Sequence, residues 1–155
     1  EGHTVQITAI AFSTDGTLLA TGARDNTARI WNATDGTLLT TCTGHADNVL
    51  DVVFSPDARR VVTASQDGTF KIWSVSDGRE ILTLQSAALA AEGQVVTPAR
   101  AMFSPDGGAL LTLTTPEPLA PRVLRAFPYA LDAYPGAEDD VLADRVEAYK
   151  RAGTI

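Results

Sequence analysis

Two histidines stand in this chain, and each has a hydroxyl and a carboxylate at matching spacing. His3, Thr21 and Asp25 form one set, His45, Thr63 and Asp67 the other, and a tryptophan (Trp31, Trp73) follows each. A histidine held by an acid and facing a hydroxyl is the grouping that hydrolases use to attack a carbonyl carbon. Metal chemistry has less to stand on: the histidines lie 42 residues apart and Cys42 is the single cysteine, so no ligand-spaced cluster exists. Gly107-Gly108 is an isolated turn pair, not a phosphate loop. Glu138-Asp139-Asp140 lacks the spaced oxygen ligands of a calcium loop and reads as the start of a helix. No metal or other cofactor is expected.

The elements that must position these groups come from a repeat. Gly2-His3 recurs as Gly44-His45, Phe12-Ser13 as Phe54-Ser55, Ile30-Trp31 as Ile72-Trp73 and Asp35-Gly36 as Asp77-Gly78, always 42 residues on. Within the first unit, 7–12, 17–23, 28–32 and 38–42 are short apolar or alternating runs. Asp15-Gly16, Asp25-Asn26 and Asp35-Gly36 separate them, pairs that tolerate the left-handed backbone of tight hairpins. The second unit repeats the pattern at 49–54, 60–65, 70–74 and 80–84. Each unit is expected to be one four-stranded antiparallel sheet.

A period in the low forties, a Gly-His opening and an apolar-Trp close resemble the WD-repeat family of β-propellers. The matching stretches are Gly2-His3 with Asp25-Asn26-Thr27-Ala28-Arg29-Ile30-Trp31-Asn32, and Gly44-His45 with Asp67-Gly68-Thr69-Phe70-Lys71-Ile72-Trp73-Ser74. The Trp-Asp pair itself has become Trp-Asn and Trp-Ser. The resemblance implies an all-β fold: a partial propeller of about three four-stranded blades, the third incomplete. It also implies that His3, Thr21, Asp25 and Trp31, and likewise His45, Thr63, Asp67 and Trp73, form hydrogen-bond chains buried inside the blades. Such chains lock strand turns and leave no room for a reacting atom, so no catalytic residue is assigned.

Blades are expected over 1–43, 44–92 and 93–127. In the third unit, Phe103-Ser104-Pro105-Asp106 follows Phe54-Ser55-Pro56-Asp57 by 49 residues, which makes 86–92 an insertion. The same offset carries Thr63 to Thr112 but His45 to Gln94, Asp67 to Pro116 and Trp73 to Arg122. Its third strand is expected at 123–127. Residues 128–155 read as a linker and an amphipathic helix over 137–152, acidic at its start and basic at its end. Arg125-Ala126-Phe127-Pro128-Tyr129 before that helix resembles the closing segment of large bacterial WD-repeat proteins.

The net charge of −7 argues against non-specific nucleic-acid binding, which needs a basic face. No apolar run is long enough to span a membrane. With one cysteine, no internal disulfide framework is available, and a cytoplasmic protein is expected. The chain opens at Glu1 rather than Met and is read as a piece of a longer protein.

Loops on a rigid scaffold are the natural binding surface. The resemblance places partner peptides on the loops before the first strand and between the second and third strands of each blade. Gln6, Arg24, Asn48 and Gln66 occupy those positions, and Arg24 stands out because its planar fork suits carboxylates. Both irregularities of the third unit, 86–92 and 115–122, fall in the same two loop types, which leaves two readings: this blade shapes a partner site, or a terminal blade has drifted under relaxed selection. The leading expectation is a non-catalytic protein-interaction scaffold of a bacterial, signalling-type multidomain protein. Its missing blades would come from the rest of the chain or from other copies. An enzyme with its active site in the central channel is the alternative, and the first strands offer it only Thr8 and Asp51 as polar groups. A purely structural closing module is a third reading.

Overall fold

The computed structural model describes residues 2–86, 97–115 and 122–124. Among them, eleven strands form three antiparallel sheets. The first sheet joins β1 (Ile7–Phe12), β2 (Leu18–Ala23), β3 (Thr27–Asn32) and β4 (Leu38–Thr43) in sequence order. The second joins β5 (Val49–Phe54), β6 (Arg60–Ser65), β7 (Thr69–Ser74) and β8 (Glu80–Gln85) in the same way. The third holds β9 (Thr97–Phe103), β10 (Leu110–Thr115) and β11 (Arg122–Leu124). Each sheet is a meander of neighbouring strands, the topology of propeller blades. The expected helix at 137–152 and the linker before it lie outside the described residues.

The turns explain the strand ends. Asp15 accepts hydrogen bonds from the Ser13 hydroxyl and from the Thr17 N–H and hydroxyl, so Thr17 stays in the turn and β2 starts one residue later than expected. Asp57 and Asp106 bind Ser55 and Ser104 in the same manner. All three turns use a left-handed residue: Gly16 at φ 72°, Ala58 at 56° and Gly107 at 69°. Alanine carries a Cβ penalty there that glycine avoids.

The sheets stack face to face, with β5 packed between β1 and β9. Blade two meets blade one through Val52, Phe54, Val61 and Trp73, set against Ala20, Ala28, Ile30 and Cys42. Its other face lays Val62, Ala64, Phe70 and Ile72 on Phe103 and Leu110 of blade three. Small residues on one side and large ones on the other let the sheets interdigitate. Gly22 is one such point, because a Cβ there would sit 2.6 Å from the Val49 Cγ1. Two hydrogen bonds stitch the inner strands together. The Thr8 hydroxyl reaches the Val49 carbonyl of the next blade, and Asp51 accepts the Ala101 N–H at 2.9 Å.

Strand pairing corrects one sequence assignment. Leu110 opposes Leu124 as Val61 opposes Trp73, and Thr112 opposes Arg122 as Thr63 opposes Lys71. The tryptophan position of blade three therefore belongs to Leu124, not Arg122. The connection between β10 and β11 is longer than its counterpart in blade two, and a fixed offset cannot carry across it. The third strand also starts at Arg122, one residue before the expected 123–127, whose last residues lie outside the described ones.

Candidate functional site: the loop edge and the hydrogen-bond chains beneath it

Blades one and two each bring the loop before their first strand beside the turn between their second and third strands. In blade one, His3 Nδ1 lies 2.9 and 3.1 Å from the two Asp25 oxygens, and Nε2 lies 2.7 Å from the Thr21 hydroxyl. Trp31 Nε1 donates to that hydroxyl at 2.8 Å. Blade two repeats the chain: His45 Nδ1 to Asp67 at 2.7 Å, Nε2 to Thr63 at 2.6 Å, and Trp73 Nε1 to Thr63 at 2.8 Å. One polarity satisfies every member. The indole N–H donates to the threonine oxygen, the threonine O–H to Nε2, and Nδ1–H to the carboxylate. This is the order of groups in a hydrolase triad. Yet Thr63 is fully buried and its oxygen already accepts from Trp73, so no substrate carbonyl can reach it.

The chain has members that the sequence reading passed over. Thr27 and Thr69 donate their hydroxyls to Asp25 and Asp67 at 2.7 and 2.6 Å, and the Thr4 and Ala46 N–H groups donate to the same carboxylates. The signal was present as Asp-x-Thr, the spacing at which an Asp side chain binds the residue two places on. Burial opposes ionisation of Asp25, but the bonds from Thr27, His3 and Thr4 outweigh it and hold its pKa at about 2. Asp67 is likewise lowered, its burial overcome by Thr69, Ala46 and His45. Burial lowers the pKa of His45 despite the neighbouring Asp67, which keeps the ring neutral with Nδ1 as the donor.

Blade two adds a second polar group around the buried Lys71. Lys71 Nζ donates to Glu80 and Thr83, both at 2.7 Å, and lies 6.0 Å from the Trp73 ring centroid. Blade one holds Arg29, Leu38 and Thr41 at those positions, and Arg29 instead lies 3.9 Å from Asp25. In blade three, Thr112 is buried and its hydroxyl has no hydrogen-bond partner among the described residues. Gln94 and Pro116 lie outside them, so only the threonine of the third chain is seen. Of the insertion at 86–92, Ser86 alone is described, with its N–H on the Gly68 carbonyl at 2.8 Å.

The four loop positions fall into two pairs above the hydrogen-bond chains. The Arg24 N–H donates to the Gln6 carbonyl, and the Gln66 N–H to the Asn48 carbonyl, both at 3.0 Å. Beyond this shared frame the pairs differ. Asn48 Nδ2 donates to Gln66 Oε1 at 2.5 Å, closing the second pair on itself. Gln6 and Arg24 are exposed, and their side chains have no hydrogen bond or ion pair among the described residues. Thr8 and Asp51, the polar groups of the inner strands, are committed to neighbouring backbone. Burial raises the Asp51 pKa although the Ala101 N–H and Arg100 favour its charge. Among the described residues, no three His, Cys, Asp or Glu side chains could hold a metal ion, and no helix is long and apolar enough to cross a membrane. Burial, aided by Asp77, pushes the Cys42 thiol up to about 12, which makes it inert.

Stacked four-stranded meanders, each pinned by a buried histidine–hydroxyl–carboxylate chain, define a β-propeller repeat protein. Residues 1–32 and 36–74 match the family described as WD domain, G-beta repeat. A 47-residue stretch is 40% identical to Periodic tryptophan protein 2 of Arabidopsis thaliana, covering 30% of this chain and 5% of that protein. These two blades are thus WD repeats. WD repeats in general serve as scaffolds for protein–protein interaction.

Proposed function

We propose that this chain is a non-catalytic scaffold that holds a protein or peptide on the loop edge of its blades, with Gln6, Arg24, Asn48 and Gln66 as contact residues. The observation that carries this reading is the division of labour at that edge. The groups that resemble a hydrolase triad are buried and mutually satisfied, whereas Gln6, Arg24 and Gln66 stand exposed on a frame those groups lock. A rigid platform with exposed loop side chains suits recognition, since little ordering is needed on binding. The channel-enzyme alternative finds no support in Thr8 or Asp51, which are spent on joining blades.

The open side of blade one bears on the wider assembly. Ile10 and Phe12 are each 63% exposed, whereas Val52 and Phe54, at the same positions of blade two, are 3% and 6% exposed. We read this face as the seat of another blade, from more of the same chain or from another copy. The setting we propose is a cytoplasmic, multidomain bacterial protein of signalling type. A photo-crosslinking amino acid placed in turn at Gln6, Asn48 and, on the opposite edge, Gly16 tests the binding surface. The reading expects partner adducts from the first two positions. Adducts confined to Gly16 would overturn it.

A further inference from the structure

The two loop pairs share a backbone but differ in what they offer a ligand, and the difference points to one kind of partner. At blade two the edge is closed and acidic: Asn48 binds Gln66, and Asp47 is exposed beside them. At blade one, Val5 takes the place of Asp47 and Arg24 that of Gln66, and both are exposed. Among the described residues the Arg24 guanidinium has no carboxylate bonded to it. The nearest acid in sequence, Asp25, is already filled by His3, Thr27 and the Thr4 N–H. Arg24 is therefore a free planar donor fork beside an exposed aliphatic side chain and the unused amide of Gln6.

We propose that Val5, Gln6 and Arg24 select acidic peptide segments, seating a carboxylate on Arg24 with an aliphatic neighbour on Val5. This rests on the loop-edge reading above and names the partner's chemistry. A guanidinium pairs with a carboxylate through two parallel N–H···O bonds, a geometry that an amide cannot match. The net charge of −7 does not forbid such a ligand, because charges beyond roughly 8 Å are screened at physiological salt. Asp47 repels a carboxylate from the equivalent place on blade two and so directs it to blade one.

Selection of binders from a displayed library of random dodecapeptides, on the immobilised chain, tests the proposal. Enrichment of Asp or Glu beside an aliphatic residue is expected. Arg24→Ala should weaken the selected peptides about tenfold, in the range seen when an interface arginine is truncated. Arg24→Lys should restore part of that loss, and Arg59→Ala, which removes a cation from the opposite edge, should change nothing. Peptides without acidic preference that still depend on Gln6 or Asn48 would overturn the carboxylate assignment and leave the loop edge standing. Peptides indifferent to all four loop positions, or no binders at all, would overturn both.

Discussion

Blades one and two are near copies in backbone and unlike in circumstance. Their strands have equal lengths, their turns keep an aspartate at the same places (Asp15 and Asp57, Asp25 and Asp67, Asp35 and Asp77), and their buried chains match within a few tenths of an ångström. Yet Phe12 is largely exposed while Phe54 is buried. The difference lies in the neighbour, not in the blade: blade two has a sheet on each face, whereas among the described residues blade one has a sheet on one. Local sequence builds a blade and stacking decides what each side chain contributes, as expected of repeats that contact only their neighbours.

Paired substitutions sharpen this comparison. The largest contrast is expected at the phenylalanines. Phe54→Ala should lower unfolding free energy by about 3–5 kcal/mol, and Phe12→Ala should stay within about 0.5 kcal/mol, as read by denaturant melts. Equal losses would mean that blade one is covered in solution. Glycine provides the next pair. Gly36 and Gly78 both have left-handed backbones, at φ 74° and 73°. A Cβ at Gly36 meets open space, but at Gly78 it falls 2.6 Å from Thr40 Cγ2 and 2.7 Å from the Thr41 carbonyl oxygen. Gly36→Ala should cost about 1–2 kcal/mol. Gly78→Ala should cost about 1–3 kcal/mol more, because the clash falls on the backbone of the adjoining blade.

The histidine chain comes third. His45→Ala should cost about 1–3 kcal/mol by orphaning Thr63 and Asp67. The lowered pKa of His45 also sets a pH dependence. Below about pH 6.5 the unfolded state takes up a proton that the folded ring resists, so stability falls as pH drops. Asp25 and Asp67, with lowered pKa values, add stability that is present above pH ~4 and lost as pH falls through their folded values. Thermal melts across pH 5–8 should show the histidine slope, and His45→Ala should flatten it. A slope unchanged in that variant would contradict the buried neutral ring.

Asp51→Asn is expected to have the smallest effect. The raised pKa of Asp51 means that its ionised form costs stability as pH rises through that value, whereas asparagine still accepts the Ala101 N–H. A slight rise in Tm at pH 7, vanishing below about pH 4, is expected. A fall at pH 7 would show that the charge itself joins the blades.

Much of this is legible in the sequence alone. The 42-residue spacing marked two sheets, and turn pairs such as Asp25-Asn26 placed strand ends to within a residue. What escaped was decided across space. Leu124 takes the tryptophan position because strand pairing, not a constant offset, aligns β11 with β10. The Lys71–Glu80–Thr83 group joins residues that share no simple spacing. The Asn48–Gln66 and Gln6–Arg24 pairs hold equivalent places in the repeat, and that the first closes on itself while the second stays open emerges only once side chains are placed.

Amide hydrogen exchange, with and without a peptide selected on this chain, tests the central claim that binding belongs to the loop edge and the buried chains only support it. The account expects protection around Gln6, Arg24, Asn48 and Gln66, with the turns at Asp15-Gly16, Asp35-Gly36 and Asp57-Ala58 unchanged. Protection confined to those turns, or to the open face around Ile10 and Phe12, would contradict it.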